Sequence, residues 1–146
     1  MKAIIVTGTP ATGKTTFAKQ FAKEKGYFYL DLNNLIKENR IYSGYDRKRK
    51  SYIVDIRRLI KPVVKIIRQY KGKVVIDSHL SHYLPPKYVR LCIVTKCPLK
   101  TLKRRLEKRG YSKAKIRENL DAEIFDVCFI EAKEMGHRVK VIEQKL

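Results

Sequence analysis

The sequence has few cysteines, few acidic residues and no long apolar run. Its three cysteines, Cys92, Cys97 and Cys128, show no metal-ligand spacing, and their odd number argues against a disulfide framework. No apolar run approaches membrane-spanning length, and an apolar segment begins almost directly after Met1, which argues against a signal peptide. We therefore expect an intracellular, cytoplasmic protein (nuclear in a eukaryote) without membrane contact, with Cys92 and Cys128 in its core.

The shortage of acidic residues leaves a strongly basic chain. Lys and Arg number 34 against 14 Asp and Glu, which gives a formal net charge of +20 over 146 residues. This charge favours a polyanionic partner, RNA first. A Lys-rich or heat-adapted surface would give the same composition, and no single-strand-binding motif decides between the two. The densest basic run is Arg-Lys-Arg-Lys at 47–50.

One short segment carries the clearest motif. Residues 8–15 read Gly-Thr-Pro-Ala-Thr-Gly-Lys-Thr and fit the pattern G-x-x-x-x-G-K-[ST]. The flanking residues predict a buried strand over 2–7 and a helix over 15–25. Backbone N–H groups of such a loop and the positive end of the helix dipole point at the same place, which makes an anion site. This segment, called the phosphate loop below, therefore predicts nucleotide binding.

The motif assigns an expected role to each position. Lys14 is expected to reach the β- and γ-phosphates, and the Thr15 hydroxyl is expected to bind Mg²⁺. Thr16, the next helix residue, can offer its hydroxyl to the α-phosphate. The residues expected to hold the nucleotide here are Gly8, Ala11, Gly13, Lys14, Thr15 and Thr16.

Apolar periodicity predicts an alternation of strands and helices over the rest of the chain. Strands are expected over 2–7, 27–30, 73–77, 88–95 and 138–142, and helices over 15–25, 51–70, 98–109 and 112–135. Pro62 should kink or split the helix over 51–70. Residues 32–50 are polar and broken by Ser43-Gly44. Because the strands are nearly all apolar, helices must cover both sheet faces. The expected fold is an α/β P-loop NTPase domain with a five-stranded parallel sheet.

Asp77 ends the predicted strand 73–77, on the sheet edge where the phosphate loop lies. Enzymes that transfer phosphoryl groups hold Mg²⁺ on such a carboxylate, directly or through water. His79 and His82 follow directly. They are either loop residues bonded to nearby carbonyls or, for His79, a group that orients or deprotonates a nucleophile beside the γ-phosphate. His-x-x-His without further ligands is poor support for zinc.

Several segments together resemble a known family. Besides the phosphate loop, the matching segments are 42–46 (Tyr-Ser-Gly-Tyr-Asp), 77–79 (Asp-Ser-His), 105–111 (Arg-Leu-Glu-Lys-Arg-Gly-Tyr), 118–119 (Glu-Asn) and 122–124 (Ala-Glu-Ile). In this order, over nearly the whole chain, they resemble adenylate kinase isoenzyme 6, a family of small dual adenylate kinase and ATPase proteins of archaea and eukaryotes. Ordinary adenylate kinases carry a Gly-Phe-Pro-Arg loop after the strand-end acid, where this chain has Ser78-His79-Leu80.

The resemblance implies three working parts in one domain over 1–146. A core holds ATP, an insertion at about 31–54 holds AMP, and a short lid at about 107–117 closes over the phosphates. Lys37 and Tyr42 fall in the expected AMP site. The resemblance also implies a role in maturation of the small ribosomal subunit, through a small-subunit ribosomal protein and rRNA.

The predicted helix over 98–109 adds cations to this site. Arg105 and Arg109 lie four residues apart and so share one helix face, and phosphoryl transfer needs cations on the equatorial phosphate oxygens. With the resemblance, Arg109 is the expected nucleotide contact and Arg105 its near partner. Two positions depart from the family. Ala11 stands where a glycine is usual, so we expect its backbone to avoid positive φ. Lys37 replaces the AMP-binding arginine and offers a point charge without a bidentate fork.

The leading interpretation is an enzyme that interconverts ATP plus AMP with two ADP and hydrolyses ATP more slowly. The main alternative is an ATP-switched ribosome-assembly factor that binds rRNA or a ribosomal protein and has little kinase activity. A kinase acting on another nucleoside monophosphate is a third. A GTPase is disfavoured, because Thr95-Lys96-Cys97-Pro98 lacks the acid of the base-reading N-K-x-D element.

Overall fold

Strands and helices alternate along the chain, and the strands assemble into a parallel sheet. The computed structural model describes residues 1–47 and 51–144. The sheet has the strand order β2-β5-β1-β6-β7, and every pairing in it is parallel. Its strands are β1 Ala3–Thr7, β2 Phe28–Asp31, β5 Val74–Asp77, β6 Val89–Lys96 and β7 Val139–Glu143. A separate antiparallel hairpin pairs β3 Tyr42–Asp46 with β4 Ser51–Val54.

Six α-helices occur in the described part of the chain. They are α1 Lys14–Lys25, α2 Leu32–Glu38, α3 Ile60–Gln69, α4 Leu99–Lys108, α5 Lys113–Ile124 and α6 Val127–Glu134. Short 3₁₀ helices cover Ile56–Leu59, Ser81–Tyr83 and Pro86–Tyr88. Among residues 1–47 and 51–144, no helix is long and apolar enough to span a bilayer.

The central strand β1 is buried on both faces, because consecutive side chains of a strand point to opposite sides. Ile5 packs with the larger core cluster, which includes Leu59 and Val63 from the segment around α3. Ile4 and Val6 pack on the other face against Ala18 of α1. The prediction of a five-stranded parallel sheet covered by helices is therefore confirmed.

The predicted helix over 51–70 is wrong in its first third. Residues Ser51–Val54 form β4 of the hairpin, and Asp55 then caps the following 3₁₀ helix by accepting from the Arg57 N–H at 3.1 Å. Helix α3 follows that 3₁₀ segment directly, and Pro62 lies in its first turn. A proline is tolerated in a first turn because its missing N–H would have no helical partner. The segment changes from 3₁₀ helix to α-helix at Ile60, two residues before Pro62, and α3 continues through the proline, so no split occurs at Pro62 itself.

The predicted helix over 112–135 is also divided. Helix α5 ends at Ile124, and Asp126 takes a left-handed conformation with φ 53° before α6 begins. The Asp126 carboxylate forms a short ion pair with Lys96 at the end of β6. This tertiary contact holds the break in a run whose helical periodicity is otherwise continuous.

The segment expected to be polar and irregular, 32–50, contains regular structure. Asp31 accepts from the N–H groups of Asn33 and Asn34 and so caps α2. The hairpin of β3 and β4 follows, and Lys48–Lys50 lie outside the described residues.

Candidate nucleotide site

The phosphate loop connects β1 to α1 at the carboxyl edge of the sheet. Gly13 is the N-cap of α1 with φ 90° and makes no side-chain cap, so amides of the first helical turn stay available to a ligand. A Cβ on Gly8 would lie 2.6 Å from the carbonyl oxygen of Thr95, so the loop passes β6 too closely for any side chain there. The local path of the loop therefore depends on both glycines of the motif.

Ala11 corrects one expectation. Its φ is 70°, in the left-handed region that we expected an alanine to avoid. This conformation costs an L-residue about 1–2 kcal/mol. The Ala11 methyl group is buried in a cluster with Leu102 and Leu106 of α4, and the Arg105 guanidinium donates to the Ala11 carbonyl at 2.9 Å. Packing and this hydrogen bond hold the alanine in its left-handed conformation.

Three side-chain contacts support the phosphate loop from neighbouring elements. The Arg105 contact to the Ala11 carbonyl comes from α4. The Thr12 and Thr95 hydroxyls share a hydrogen bond of 2.8 Å, and the Thr9 hydroxyl donates to Glu123 Oε1 at 3.2 Å. Arg105, expected beside the nucleotide, thus bonds the loop itself in this structure.

Lys14 lies recessed behind the loop. Its Nζ donates to the Thr9 carbonyl at 3.4 Å. Burial lowers the pKa of Lys14, Asp77 opposes this shift, and the nearby charge of Arg109 adds to it. Arg109 is exposed at the C-terminal end of α4, and Thr16 is exposed on the first turn of α1. The structure therefore brings Lys14, Asp77 and Arg109 within one electrostatic neighbourhood.

The Asp77 carboxylate is buried and faces α1. Its Oδ2 accepts from the Thr15 hydroxyl at 2.8 Å and from the Tyr29 hydroxyl at 2.6 Å. Asp77 and Val6 are partners in the pairing of β5 with β1, which sets the carboxylate level with the start of the phosphate loop. Tyr29 was not predicted as a site residue, because its side-chain direction depends on the pairing of β2 with β5.

The Thr15 hydroxyl and the Asp77 carboxylate oxygen are suitable protein ligands for a magnesium ion. Mg²⁺ prefers oxygen ligands, and nucleotide sites supply it with one or two protein groups plus substrate phosphates and water. The described residues contain no cluster of three or more His, Cys, Asp or Glu side chains able to hold a metal alone. A metal bound by Thr15 and Asp77 would therefore need the phosphates of a nucleotide.

The two histidines occupy different environments. His79 is exposed on the wall of a cavity, where desolvation by the surrounding protein and the charges of Lys14, His82 and Lys115 lower its pKa to about 4. His82 is fully buried, shares a 2.7 Å hydrogen bond through Nδ1 with the Thr7 hydroxyl, and places Nε2 3.5 Å from Glu131 Oε1. His79 is therefore placed to meet a ligand, whereas His82 ties the loop after β5 to β1 and α6.

A cavity of about 1220 Å³ opens beside the phosphate loop. Its volume exceeds the roughly 300–1,000 Å³ of typical ligand pockets. Five parts of the chain line it, represented by Thr9 of the phosphate loop, Lys37 and Tyr45 of the segment 31–54, His79 after β5, Tyr111 and Lys115 near the start of α5, and Cys128 and Glu131 of α6. Cys128, expected in the core, is thus half-buried at the cavity wall, while Cys92 is fully buried as expected.

The two residues expected at the AMP site differ in position. Lys37 lines the cavity. Tyr42 packs against the larger core cluster instead, and Tyr45, three residues further along β3, lies on the cavity wall. The pairing of β3 with β4 shifts its register between Tyr42 and Gly44, so regular alternation does not relate the two tyrosines, and of the two only the Tyr45 ring lines the cavity. Tyr45 was missed because the segment was not predicted to be a strand.

A strand, phosphate loop and helix of this geometry, with a strand-end carboxylate on the adjacent strand, define a P-loop nucleotide-binding domain. A family model described as "AAA domain" matches residues 4–126. The chain is 40% identical over 142 residues to the adenylate kinase isoenzyme 6 homolog of Saccharomyces cerevisiae, covering 96% of this chain and 71% of the relative. It is 32% identical over 131 residues to the adenylate kinase isoenzyme 6 homolog of Caenorhabditis elegans, covering 90% and 72%.

The chain belongs to the adenylate kinase isoenzyme 6 family, which confirms the resemblance found in the sequence. A solved structure of shikimate kinase from Acinetobacter baumannii in complex with shikimate covers 99% of this chain, with a TM-score of 0.65. At 14% identity, that likeness concerns the fold alone. The sequence covers 86% of the shikimate kinase chain.

Tyr29→Phe should raise the Mg²⁺ concentration that nucleotide binding requires. The substitution removes one of two hydroxyl donors to Asp77 Oδ2 and keeps the ring. We expect the Mg²⁺ concentration for half-maximal ATP binding to rise about tenfold. This is the lower end of the loss in metal affinity that is typical when a metal ligand loses a hydrogen-bond partner. Calorimetric titration at fixed ATP over a Mg²⁺ series measures this. Tyr27→Phe is the matched control, because the Tyr27 hydroxyl accepts a hydrogen bond from Arg90 at 3.0 Å on the exposed surface. Equal midpoints for the two variants would show that Tyr29 does not orient Asp77.

Proposed function

We propose that the protein is a nucleoside monophosphate kinase, chiefly an adenylate kinase, which transfers a phosphoryl group from ATP to AMP to give two ADP. The observation that carries the proposal is the cavity, which meets the phosphate loop at Thr9 and extends to Lys37 and Tyr45. A donor on the loop and an acceptor in the cavity would face each other with their phosphates adjacent. Membership of the adenylate kinase isoenzyme 6 family supports this choice of donor and acceptor.

The residues around the loop suit phosphoryl transfer, which needs positioning and charge stabilisation and little covalent chemistry. We assign the donor phosphates to the amides of the phosphate loop, with Gly8, Ala11 and Gly13 shaping its path. Lys14 would bridge the β- and γ-phosphates. Arg109 would add positive charge from the end of α4. Thr16 would contact the α-phosphate from α1.

Arg105 has a second assignment. In this structure its guanidinium bonds the Ala11 carbonyl, so it sets the loop path and lies next to the phosphate site. We propose that it stabilises the transferring group from this position, as the near partner of Arg109. Thr15 and Asp77 would hold Mg²⁺, which neutralises charge on the β- and γ-phosphates when bound.

The segment 31–54 is the proposed acceptor insertion, and 107–117 the proposed lid. Lys37 would meet the acceptor phosphate as a point charge, and Tyr45 offers a ring to the acceptor base. Tyr42 would support the insertion through the core. In the lid, Gly110 has φ 74° and open space around it, and the Lys115 ammonium lies 4.2 Å from the centre of the Tyr111 ring. The lid thus carries its own cation and ring to the cavity.

A slower hydrolysis of ATP is the second proposed activity, with His79 as the residue that distinguishes it. AMP brings an ionised phosphate oxygen as nucleophile, whereas water must be oriented or deprotonated. With its pKa lowered to about 4 by desolvation and by Lys14, the His79 ring is neutral at pH 7. A neutral imidazole accepts a hydrogen bond from water and can orient it.

We also propose a role in maturation of the small ribosomal subunit, with rRNA and a small-subunit ribosomal protein as intracellular, cytoplasmic partners. The net charge of +20 supports an RNA contact. Of the basic run 47–50, Lys48–Lys50 lie outside the described residues. Helix α4 offers a described alternative: Leu102 and Leu106 are buried, while its other face exposes Lys100, Lys103, Arg104 and Lys108.

A coupled assay of ADP formation tests the kinase proposal. With ATP and Mg²⁺, addition of AMP should raise ADP formation at least tenfold above the rate without acceptor, and CMP, UMP and GMP should raise it less. Lys14→Ala should abolish the AMP-dependent rate and weaken ATP binding at least tenfold, as expected for loss of a charge-assisted contact of about 1.5–3 kcal/mol. An unchanged rate on adding every monophosphate would contradict the kinase and favour an ATP-switched assembly factor.

His79→Ala should separate the two activities. We expect ATPase turnover to fall ten- to a hundredfold, at or just below the lower limit of the roughly 10²–10⁴-fold contribution of general acid–base groups, while AMP phosphorylation falls less than threefold. In the parent enzyme, protonation of His79 should reduce ATPase turnover only below about pH 5, because its pKa lies near 4. Both rates are measured from pH 4.5 to 8. A proportional loss of both activities would make His79 a structural residue.

Charge reversal on α4 tests the RNA contact. Replacing Lys100, Lys103, Arg104 and Lys108 with Glu should flatten the plot of log affinity against log salt by about 0.7 per lost phosphate contact on single strands. Binding to a labelled single-stranded RNA is measured by anisotropy between about 50 and 200 mM salt, a span over which affinity that depends on phosphate contacts falls steeply. Reversal of Lys61, Lys65 and Arg68, exposed on α3, is the control. Equal slopes for all three proteins would show that α4 is a solvated face.

A further inference from the structure

Glu123 is a buried carboxylate that the proposed chemistry does not use. It lies in the last turn of α5 with 6% of its surface exposed. Oε1 accepts from the Thr9 hydroxyl at 3.2 Å and from Lys96 Nζ at 3.1 Å, and Oε2 accepts from the Cys97 N–H at 3.1 Å. One side chain therefore joins α5, the end of β6 and the phosphate loop.

The contact to Thr9 is more than a means of satisfying the buried charge. A buried carboxylate needs a cation and hydrogen-bond donors, and Lys96 with the Cys97 N–H already supplies both. The Thr9 hydroxyl, by contrast, has Glu123 as the acceptor that fixes its direction. Thr9 is itself only 2% exposed, so this hydrogen bond is shielded from water and holds its geometry.

Thr9 in turn sets the position of Lys14. The Thr9 carbonyl accepts from the Thr12 hydroxyl at 2.6 Å, from the Thr12 N–H at 3.2 Å and from Lys14 Nζ at 3.4 Å. A rotation of Thr9 would move this carbonyl, and with it the turn of the loop and the resting place of the lysine ammonium. Glu123 is thus connected to Lys14 through one residue.

We propose that Glu123 is a positioning residue for the phosphate loop, acting through the Thr9 hydroxyl. It also couples the loop to α5, which carries Lys115 and Asn119 to the cavity. The proposal rests on the proposed binding of nucleotide phosphates by this loop. The competing view is that Glu123 only fastens α5 to β6.

Thr9→Val distinguishes the two views. It is nearly isosteric, removes the donor and leaves the contacts of Glu123 with Lys96 and Cys97 intact. We expect Kd and KM for ATP to rise five- to tenfold while kcat changes less than twofold, and Thr9→Ser to restore both constants to within twofold of the parent. Asp126→Asn is the control for a purely structural effect, because Asp126 pairs with Lys96 at the same α5–β6 junction, whereas the Thr9 hydroxyl donates to Glu123.

Glu123→Gln supplies a second arm should Thr9→Val fold poorly, and thermal unfolding is followed for every variant. If Glu123 acts through Thr9, Glu123→Gln also raises Kd for ATP, and the double variant is no weaker than the weaker single variant. If ATP affinity falls in proportion to the loss of thermal stability in every variant, the control Asp126→Asn among them, the proposal is overturned. Unchanged affinity in Thr9→Val, with Lys14→Ala still defective, would overturn it and leave the proposed function intact. Failure of the parent to bind ATP would remove both.

Discussion

The structure depends on holding the phosphate loop in one shape before any phosphate is present. A loop that turns its amides toward an anion leaves its own carbonyls and its strained residues to be stabilised from behind. Here the support comes from three directions: Arg105 on the Ala11 carbonyl, Thr95 on Thr12, and Glu123 on Thr9. Each supporting residue belongs to β6 or to the helices after it. The second half of the chain therefore shapes a loop encoded in the first 15 residues.

The same constraint explains where the strand-end carboxylate lies. In a parallel sheet the carboxyl ends of neighbouring strands meet at one edge, and the register pairs Val6 with Asp77. Asp77 thereby faces the first turn of α1, where Thr15 bonds it. Tyr29, from the strand on the far side of β5, bonds the same oxygen. The orientation of this carboxylate is thus fixed by three elements before a metal or nucleotide binds.

Sequence reasoning predicted what local chemistry determines. The phosphate loop follows from a motif with fixed spacing, and the strands follow from short apolar runs, so the sheet and the family were correct. It failed where tertiary contacts decide the local conformation. Ala11 takes a positive φ where α4 packs on it. The helix over 112–135 breaks where Asp126 meets Lys96, although its periodicity is continuous. Tyr29 carried no local signal, and Glu123 entered only within the matching segment 122–124 without a role, because their partners lie 48 and 114 residues away along the chain. The assigned roles of Lys37, His79 and Arg109 remain predictions.

The electrostatics of the site link nucleotide binding to protonation. Lys14 sits where burial and Arg109 both disfavour its charge, and Asp77 and Glu123 favour it. A triphosphate on the loop would place several negative charges beside the same ammonium and raise its pKa. By linkage, an anion that raises the pKa of Lys14 also binds more tightly to the protein when Lys14 is protonated than when it is neutral. Without ligand, Asp77 and, more weakly, Glu123 thus oppose the lowering of the Lys14 pKa that burial and Arg109 cause. Glu123 contributes to this balance as well as to the packing of α5, because the same carboxylate favours the charged form of Lys14 and accepts the hydrogen bond from Thr9.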